Sequence, residues 1–276
     1  MTLFVKFSLF AQDTNIRVFP RQRLFPLIFT DIKDPMTFIS FDKMLEKGDF
    51  PFDYYIPFSI GFSKGILKVK ETQIDLACAA FTQFGWRWED NIYLHGMRKS
   101  MINSDYLIGI NCSHKFNEKF YGKAKLFHQS SHLGDDYLLL YPIKNASGYW
   151  VNDPSSYEQL ELTMLYKIGY INTFGGIGYV VSPKTIRKRS SFKLGANISD
   201  YRSEKNVTPV MGFELNVLEN NNFNPGLKCN LGLKFFKEKS VYMMLEYYYG
   251  HLPYSRLESQ MIVNYLGLGL YLDTFF

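Results

Sequence analysis

The sequence lacks the features that mark three common classes of protein. No apolar run reaches the roughly 18 residues that a membrane-spanning helix needs, and the mean hydropathy is only -0.15. The three cysteines, Cys78, Cys112 and Cys229, show no CxxC or Cys/His spacing, so a zinc site is not indicated. The formal net charge is a mild +5, and nothing in it indicates a nucleic-acid partner. These absences argue against a helical membrane protein, a zinc domain and a nucleic-acid binder.

Aromatic residues, in contrast, are abundant. They make up 17% of the chain, with 25 Phe and 20 Tyr. Aromatic content without long apolar runs is typical of membrane-spanning strands, whose ends carry aromatic girdles. Residues 159–168 show the matching pattern, because Leu and Met alternate there with Gln, Glu and Thr. Since a strand side chain changes face at every residue, such a segment has one apolar face and one polar face.

Strand-like segments of this kind recur along most of the chain, with no convincing amphipathic helix between them. Twelve segments qualify: 36–43, 56–68, 73–87, 104–116, 119–131, 157–168, 170–181, 191–201, 207–218, 226–237, 239–249 and 262–273. We therefore predict an all-β fold, an antiparallel up-and-down transmembrane β-barrel of about 12 strands. A closed barrel also leaves no strand edge unpaired in lipid.

The connections between these segments differ in length on the two sides of the predicted barrel. Those at 69–72, 117–118, 169, 202–206 and 238 are short, whereas those at 44–55, 88–103, 132–156 and 250–261 are long. Short periplasmic turns with long extracellular loops are typical of outer-membrane barrels, so we predict a bacterial outer-membrane location. A soluble all-β protein is the alternative.

The predicted barrel occupies residues 36–276. Residues 12–35 are interrupted by three prolines, which indicates an extended lead-in rather than a helix. Residues 1–11 are either the remnant of a secretory signal peptide or an ordinary N-terminal strand.

The segment from Phe127 to Leu138 holds the residues that are best suited to catalysis or binding. His128 and Ser130 share the parity of the apolar residues before them, so both are predicted to face lipid at the outer rim. Glu158 has the same parity on the next strand, and a two-residue hairpin would bring Tyr106 beside His128. An imidazole that takes a proton from a serine, oriented by a carboxylate, makes that serine a nucleophile. We therefore predict a site of Ser130 as nucleophile, His128 as general base and Glu158 as orienting group.

Two other interpretations of this segment stay open. Its polar residues could cap the strand end and fold the following loop. Alternatively, a divalent cation such as Ca²⁺ could be held by His128, His132, Asp135 and Asp136. Two further groups are candidate lipid-binding residues on the extracellular side, the second of them for lipid phosphates. These are Ser131, His132, Asp135 and Asp136 in the same segment, and Lys184, Arg187, Lys188 and Arg189 in a basic loop.

The polar faces of the strands carry charges of both signs, which are predicted to point into the lumen. The acidic members are Glu161, Glu214 and Glu246, and the basic members are Lys123, Lys125, Lys228 and Lys234. In a narrow 12-stranded barrel, such side chains would largely close the lumen. The alternative is that they line a pore.

Four stretches resemble the bacterial domain-of-unknown-function family twelve-oh-seven. They are RLFPLIFTDIKDP (23–35), HQSSHLGDDYL (128–138), SYEQLEL (156–162) and EYYYGHLPYSR (246–256). Members of that family have a similar His-x-Ser-Ser-His-Leu-Gly-Asp-Glu core, with Glu where this chain has Asp136. The resemblance implies a bacterial envelope protein and assigns no activity.

A looser likeness connects the His128-x-Ser130 pair with outer-membrane phospholipase A and lipid A 3-O-deacylase. In those families a His-x-Ser pair on the outer wall of a barrel works with an Asn or Glu. This chain departs from them, since Glu158 lies much farther along the sequence than their third residue.

The leading functional hypothesis is hydrolysis of acyl esters in outer-leaflet phospholipid or lipopolysaccharide. The competing hypothesis is a non-enzymatic envelope barrel, structural or a narrow channel, in which the His-x-Ser-Ser-His motif only shapes a loop. Outer-membrane lipid is the predicted partner, and a homodimer is left open.

Overall fold

The computed structural model describes residues 15–46, 48, 50–90, 95–140, 155–183, 188–199, 206–236, 241–253, 257 and 261–275. Within these ranges there are thirteen strands and one short α-helix. The strands are β1 (Ile16–Val18), β2 (Thr37–Glu46), β3 (Tyr54–Val69), β4 (Thr72–Asp90), β5 (His95–Lys115), β6 (Phe120–Leu133), β7 (Ser155–Ile168), β8 (Ile171–Pro183), β9 (Ser190–Ser199), β10 (Val207–Leu218), β11 (Pro225–Phe235), β12 (Val241–His251) and β13 (Ile262–Leu272). Helix α1 spans Asp135–Leu140, and a 3-10 turn spans Glu219–Asn221.

Strands β2 to β13 form a closed antiparallel barrel. Each pairs with the next along the chain, and β13 closes the ring by pairing with β2. Strand β1 lies outside the ring and, among the described residues, pairs only with the C-terminal end of β3. The prediction of a 12-stranded up-and-down barrel is confirmed, and each predicted segment overlaps one barrel strand.

The outer wall is apolar and the inner wall is polar, as the alternation predicted. Leu268 is 54% exposed on the outside, whereas Lys125, on the inner face, is 1% exposed. An apolar surface extending around a whole barrel is far larger than soluble monomers expose, and it is satisfied by acyl chains. The protein is therefore a barrel of the bacterial outer membrane. Among the described residues, no helix combines the length and the apolar character needed to cross a bilayer.

The lumen is filled by a segment of the predicted lead-in, residues 22–36, which we call the plug. Its apolar side chains pack against inward-facing residues of the wall, as Phe29 does against Tyr242. Its charges also find partners on the wall, since Asp34 pairs with Lys123 at 2.9 Å and Asp31 pairs with Lys193 at 2.6 Å. Sequence reasoning treated this segment only as a connection and missed its place.

The predicted charge network inside the barrel is present in part. Lys228 pairs with Glu246 at 3.4 Å. Glu161 pairs with Lys193, a residue that the sequence analysis did not include. The plug supplies partners for the remaining lysines of one wall, because Lys125 donates a hydrogen bond to the carbonyl of Lys33. The inward charges hold the plug, so among the described residues they do not line an open pore.

The extracellular end of the lumen is closed by a second apolar cluster. Phe50 and Phe52 from the β2–β3 connection meet Tyr137 of α1 and Leu252 and Leu257 of the β12–β13 connection. All five side chains are nearly fully buried. The lumen is thus filled below by the plug and above by this cap.

The prediction of a long loop at residues 88–103 was wrong. Residues 88–103 are largely strand, because β4 continues to Asp90 and β5 begins at His95. Beyond Trp86, β4 pairs with β5 alone, since its pairing with β3 ends at that residue. This two-stranded ribbon rises above the barrel, where neither lipid nor lumen imposes the alternation on which the prediction depended.

Candidate functional site on the outer wall

The His128 segment lies where the β6–β7 ladder reaches the extracellular rim. In this ladder His128 is directly opposite Glu158, and Ser130 is directly opposite Ser156. All four side chains point to the lipid face, because the alternating residues Phe127, Gln129 and Tyr157 point into the lumen. Side chains directly opposite in an antiparallel pair have Cβ atoms only about 4.5–5.5 Å apart. The ladder therefore brings one imidazole, one carboxylate and two hydroxyls together.

His128 contacts two of these groups, one with each ring nitrogen. Its Nδ1 lies 3.0 Å from Glu158 Oε1, and its Nε2 lies 3.5 Å from Ser156 Oγ. The His128 and Glu158 side chains are 39% and 35% exposed, so the pair is half-buried in the wall. A carboxylate on Nδ1 fixes the tautomer in which Nε2 has a free lone pair, as in hydrolase triads.

Ser130 is half-buried beside this pair. Within the part of the chain that the structure describes, its hydroxyl makes no hydrogen bond to His128. Residues i and i+2 of a strand are about 6–7 Å apart at Cα, so a change of rotamer can bring a serine to the neighbouring imidazole. The structure thus brings His128 and Glu158 into contact and leaves Ser130 adjacent.

The neighbour on β5 differs from the predicted one. Ile108 lies opposite His128, and Tyr106 lies opposite Ser130. The reason is the β5–β6 turn, which comprises residues 116–119 rather than two residues, so the pairing is shifted by two positions. An aliphatic side chain therefore flanks the imidazole on that side.

A β-bulge on β8 lies beside Glu158. Glu158 pairs with Ser182 and Gln159 pairs with Val180, which leaves Val181 as an extra residue. Bulges bend the strand locally and change the direction of neighbouring side chains, and they are enriched near active sites. The bulge occurs at the rim, where the carboxylate must lean toward β6 to reach His128.

Sequence reasoning missed Ser156. It has the same parity as Glu158 and comes two residues before it, so the signal was available in the Ser156-x-Glu158 spacing. Strands β6 and β7 are antiparallel, so the order of the two residues is reversed on β7. Glu158 therefore lies opposite His128, and Ser156 lies opposite Ser130.

Ser131 is a correction to the predicted lipid-binding set. It is 2% exposed, faces the lumen and donates a hydrogen bond of 3.0 Å to Asn103 Oδ1. It follows Ser130 directly in the strand, so it must take the opposite face. It has no access to lipid from this position.

The other predicted binding residues of the segment lie above the His128–Glu158 pair. His132 is exposed on the outer wall, with its ring 6.2 Å from that of Tyr106 in an edge arrangement. Asp135 and Asp136 are exposed in the first turn of α1, where Asp136 Oδ2 accepts a hydrogen bond of 3.4 Å from the Met101 backbone. Neither aspartate takes the place of Glu158 beside His128.

The basic loop is described only in part, because Lys184 and Arg187 lie outside the described residues. Lys188 and Arg189 are both exposed. Arg189 Nη1 donates a hydrogen bond of 3.0 Å to the hydroxyl of Tyr179, and Lys188 Nζ donates one of 2.9 Å to Asn222 Oδ1. Tyr179 is opposite Leu160 on β7, one outward position below Glu158. The guanidinium is therefore held at the outer face of β8, the strand next to the one that carries Glu158.

Glu219 fixes the backbone of this loop. One of its carboxylate oxygens accepts hydrogen bonds from the backbone N–H groups of Ser190 and Arg189, at 3.0 and 3.3 Å. These bonds, the one to Ser190 first, lower the pKa of Glu219. The carboxylate holds the loop at its backbone and leaves the side chains of Lys188 and Arg189 to other partners.

A metal site is not evident in the described ranges. Among them, no three His, Cys, Asp or Glu side chains lie close enough to share an ion. The predicted candidates His128, His132, Asp135 and Asp136 are separated, since His128 is engaged by Glu158 and the aspartates lie on α1.

Comparisons with known proteins agree with this architecture. The family model described as "Protein of unknown function (DUF1207)" matches residues 64–273, whereas no curated protein sequence matches the chain significantly. The solved structures include two similar barrels. Outer membrane phospholipase A from Escherichia coli matches with a TM-score of 0.53 at 10% identity, over 87% of this chain and 90% of its own. The calcium-bound dimer of the outer membrane phospholipase from Salmonella typhi matches with a TM-score of 0.55 at 12% identity, over 91% and 95%.

Proposed function

We propose that this chain, which belongs to the DUF1207 family of proteins of unknown function, is a lipid acyl-ester hydrolase of the outer leaflet. One observation carries the proposal: on the lipid-facing wall, His128 Nδ1 lies 3.0 Å from Glu158 Oε1, Nε2 lies 3.5 Å from the hydroxyl of Ser156, and Ser130 is the next outward residue on the strand of His128. A carboxylate and an imidazole are costly on a surface that faces acyl chains. Their pairing at the rim, beside two serines, is what acyl transfer requires.

The proposed reaction assigns one role to each group. His128 Nε2 takes the proton of Ser130 as its Oγ bonds to the ester carbonyl carbon, and Glu158 stabilises the imidazolium that forms. The carbon–oxygen bond to the lipid alcohol then breaks, and the proton on Nε2 passes to that oxygen. Water, deprotonated by the same nitrogen, cleaves the acyl-serine, so that a fatty acid leaves and Ser130 is restored.

The surroundings of the site support a lipid substrate. Below His128, the outer wall presents Leu126, Ile110 and Leu160, all exposed, along which an acyl chain would lie with its ester at the rim. On the same wall, at β8, Arg189 supplies a guanidinium, and this group binds phosphate through two parallel hydrogen bonds. This arrangement supports a phosphorylated lipid, either a phospholipid or a lipopolysaccharide. The similar barrels from Escherichia coli and Salmonella typhi are named as phospholipases, which is consistent with the proposal.

The test is release of fatty acid by the full chain refolded in detergent and mixed with phospholipid or lipopolysaccharide. His128→Ala and Ser130→Ala should each lower the rate by about 10³-fold or more. His114→Ala is the matched control, because this strand histidine lies at the periplasmic end, bonded to Thr72 at 2.8 Å. Heat-modifiable mobility on gels checks that each variant is folded. Full activity in the first two variants would refute the assignment.

Whether the proposed activity requires calcium or a dimer is a question for measurement. The Salmonella typhi neighbour is a dimer with bound calcium, whereas the described residues here supply no cluster of metal ligands. We assign no catalytic step to an ion. Assays with added CaCl₂ or EDTA, on protein sized by sedimentation, show whether either is required.

A structural barrel without enzymatic activity is the second candidate. The second half of the motif favours it, because Leu133 and Tyr137 are part of the apolar cap and Gly134 donates a backbone hydrogen bond of 2.9 Å to Ile102. Under this alternative the motif anchors α1 to β5, and the variants at residues 128 and 130 change no hydrolysis above the lipid blank.

A further inference from the structure

The inner face of the barrel directly behind the His128–Glu158 pair is unusually well connected. Gln129 lies between His128 and Ser130 in β6, and Tyr157 lies between Ser156 and Glu158 in β7. These two inward residues are opposite each other in the ladder. The Tyr157 hydroxyl donates a hydrogen bond of 2.8 Å to Gln129 Oε1, in a buried position. Each outward site residue is thus covalently adjacent to a member of this bond.

The bond lies where the ladder is most prone to open. The β6–β7 pairing ends at Ser131 opposite Ser155, two positions beyond Gln129 and Tyr157. The last pairs of a ladder have the lowest local stability. A slip of one residue would also turn every side chain to the other face. Holding this end closed therefore matters more for Glu158 and Ser156 than for residues farther down the strands.

The plug reinforces the same place from inside. Phe127 and Tyr157 pack together with ring centroids 6.3 Å apart, and Ile32 of the plug packs against the cluster that contains them. The ammonium of Lys33 lies 5.7 Å from the centre of the Phe127 ring. Phe127 and Tyr157, which directly precede His128 and Glu158 in sequence, therefore belong to a cluster that the plug contacts.

We infer that Gln129, Tyr157 and the plug residue Ile32 are positioning residues, which set the geometry of the outer-wall site from within the barrel. The inference rests on the proposed function for its kinetic consequence, but not for its structural one. The plug is thereby more than a filling of the lumen, because the contact between Glu158 and His128 depends on support that lipid cannot provide.

The experiment compares Tyr157→Phe with Tyr121→Phe in the full chain. Tyr121 is the matched control, since it is an inward tyrosine of the same strand pair whose hydroxyl accepts a hydrogen bond of 3.3 Å from Lys167 at the periplasmic end. Loss of one buried hydrogen bond corresponds to a factor of about five to ten. We expect amide hydrogen exchange at residues 156–158 to accelerate by that factor in Tyr157→Phe and to stay unchanged in Tyr121→Phe.

The kinetic readout is a split between kcat and KM. Because the pair acts in the transition state, Tyr157→Phe should lower kcat about five- to tenfold with KM unchanged. Ile32→Ala should act in the same direction, whereas Leu27→Ala, in a plug residue packed against the opposite wall, should lower stability without changing kcat. Equal exchange rates in the two tyrosine variants would overturn the inference. A wild-type chain without esterase activity would instead overturn the proposed function, and the exchange measurement would still decide the inference.

Discussion

At the scale of single residues, Ser130 and Ser156 are the two hydroxyls beside one imidazole. They are directly opposite in the ladder, and Ser156 Oγ is the one within 3.5 Å of His128 Nε2. Ser130 comes two residues after His128 on β6. On the neighbouring strand β5, Tyr106 lies opposite Ser130 and Ile108 lies opposite His128. The proposed role of Ser130 therefore requires its side chain to turn toward Nε2, which apo sites commonly leave for substrate binding to complete.

The two serines should separate clearly by mutation. We expect Ser130→Ala to abolish fatty-acid release and labelling by a fluorophosphonate lipid analogue. Ser156→Ala should keep activity within about threefold, because it loses only one marginal hydrogen bond. Mass spectrometry of the labelled peptide identifies the serine that reacts. If the label is found on Ser156 instead, Ser130 is not the nucleophile and the roles are exchanged.

Gly134 gives a stability prediction for the second half of the same motif. A Cβ at this position would lie 2.1 Å from the carbonyl oxygen of Met101, and rigid backbone cannot yield as a side chain would. Gly134→Ala should therefore cost about 1–3 kcal/mol. Gly175→Ala is the control, since its Cβ would meet Leu194 at 3.7 Å and the Lys193 carbonyl oxygen at 3.8 Å, both ordinary contact distances. Urea unfolding of both variants in detergent, followed by circular dichroism, measures the difference.

The sequence predicts the site only as far as the alternation of side chains between the two faces of a strand specifies it. Alternation alone placed His128, Ser130 and Glu158 on the lipid face, and the contact between His128 and Glu158 is observed. The partner of Nε2 depends on rotamers and on the ladder register, which alternation does not specify. Ser131 was assigned to lipid binding against its own parity, and the structure places it in the lumen.

At the scale of elements, the plug is the part that sequence patterns could not reveal. A strand in a barrel wall has two different faces, so its side chains alternate. Residues 22–36 contact several different strands of the lumen wall and therefore show no period, although they contain seven apolar and four charged residues. Their partners lie far away in sequence, 89 residues for Lys123 with Asp34 and 162 for Lys193 with Asp31, and charge alone does not specify such pairs.

The ion pairs of the plug lead to a second stability prediction. Lys193 holds Asp31 of the plug and Glu161 of β7 together, and its side chain is only 7% exposed. Lys193→Met leaves two buried carboxylates without their cation, which should cost about 3–5 kcal/mol. Lys115→Met is the comparison, because its partner Glu118 is 83% exposed at a turn, and such pairs contribute about 0–1 kcal/mol. The two midpoints of urea unfolding should differ accordingly, and equal midpoints would contradict the described anchoring of the plug.

At the scale of the whole molecule, two different parts of the chain fill the interior of the barrel. The plug fills the lower lumen with paired charges and apolar side chains, and the apolar cluster around Phe52 and Tyr137 closes the extracellular end. The outer wall, by contrast, carries the exposed apolar belt and the polar group around His128. Under the proposed function, the surface that acts on substrate is the outside of the barrel, where lipid is, and the filled interior supports the wall.

A conductance measurement tests that division. The full chain inserted in a planar lipid bilayer should carry no sustained ion current, because the described residues leave the lumen packed from Phe25 to the cap. A variant that begins at Thr37, with Phe50, Phe52 and Tyr137 also changed to Ser, retains all twelve barrel strands and lacks both the plug and the centre of the apolar cap. It should conduct, since the lumen wall it exposes carries polar residues such as Gln73, Lys125 and Glu161. Heat-modifiable mobility establishes that the shortened chain is folded before its current is interpreted. Steady conductance through the full chain would mean that the interior is a channel, and the packing of the plug against Lys123 and Lys193 would then be wrong.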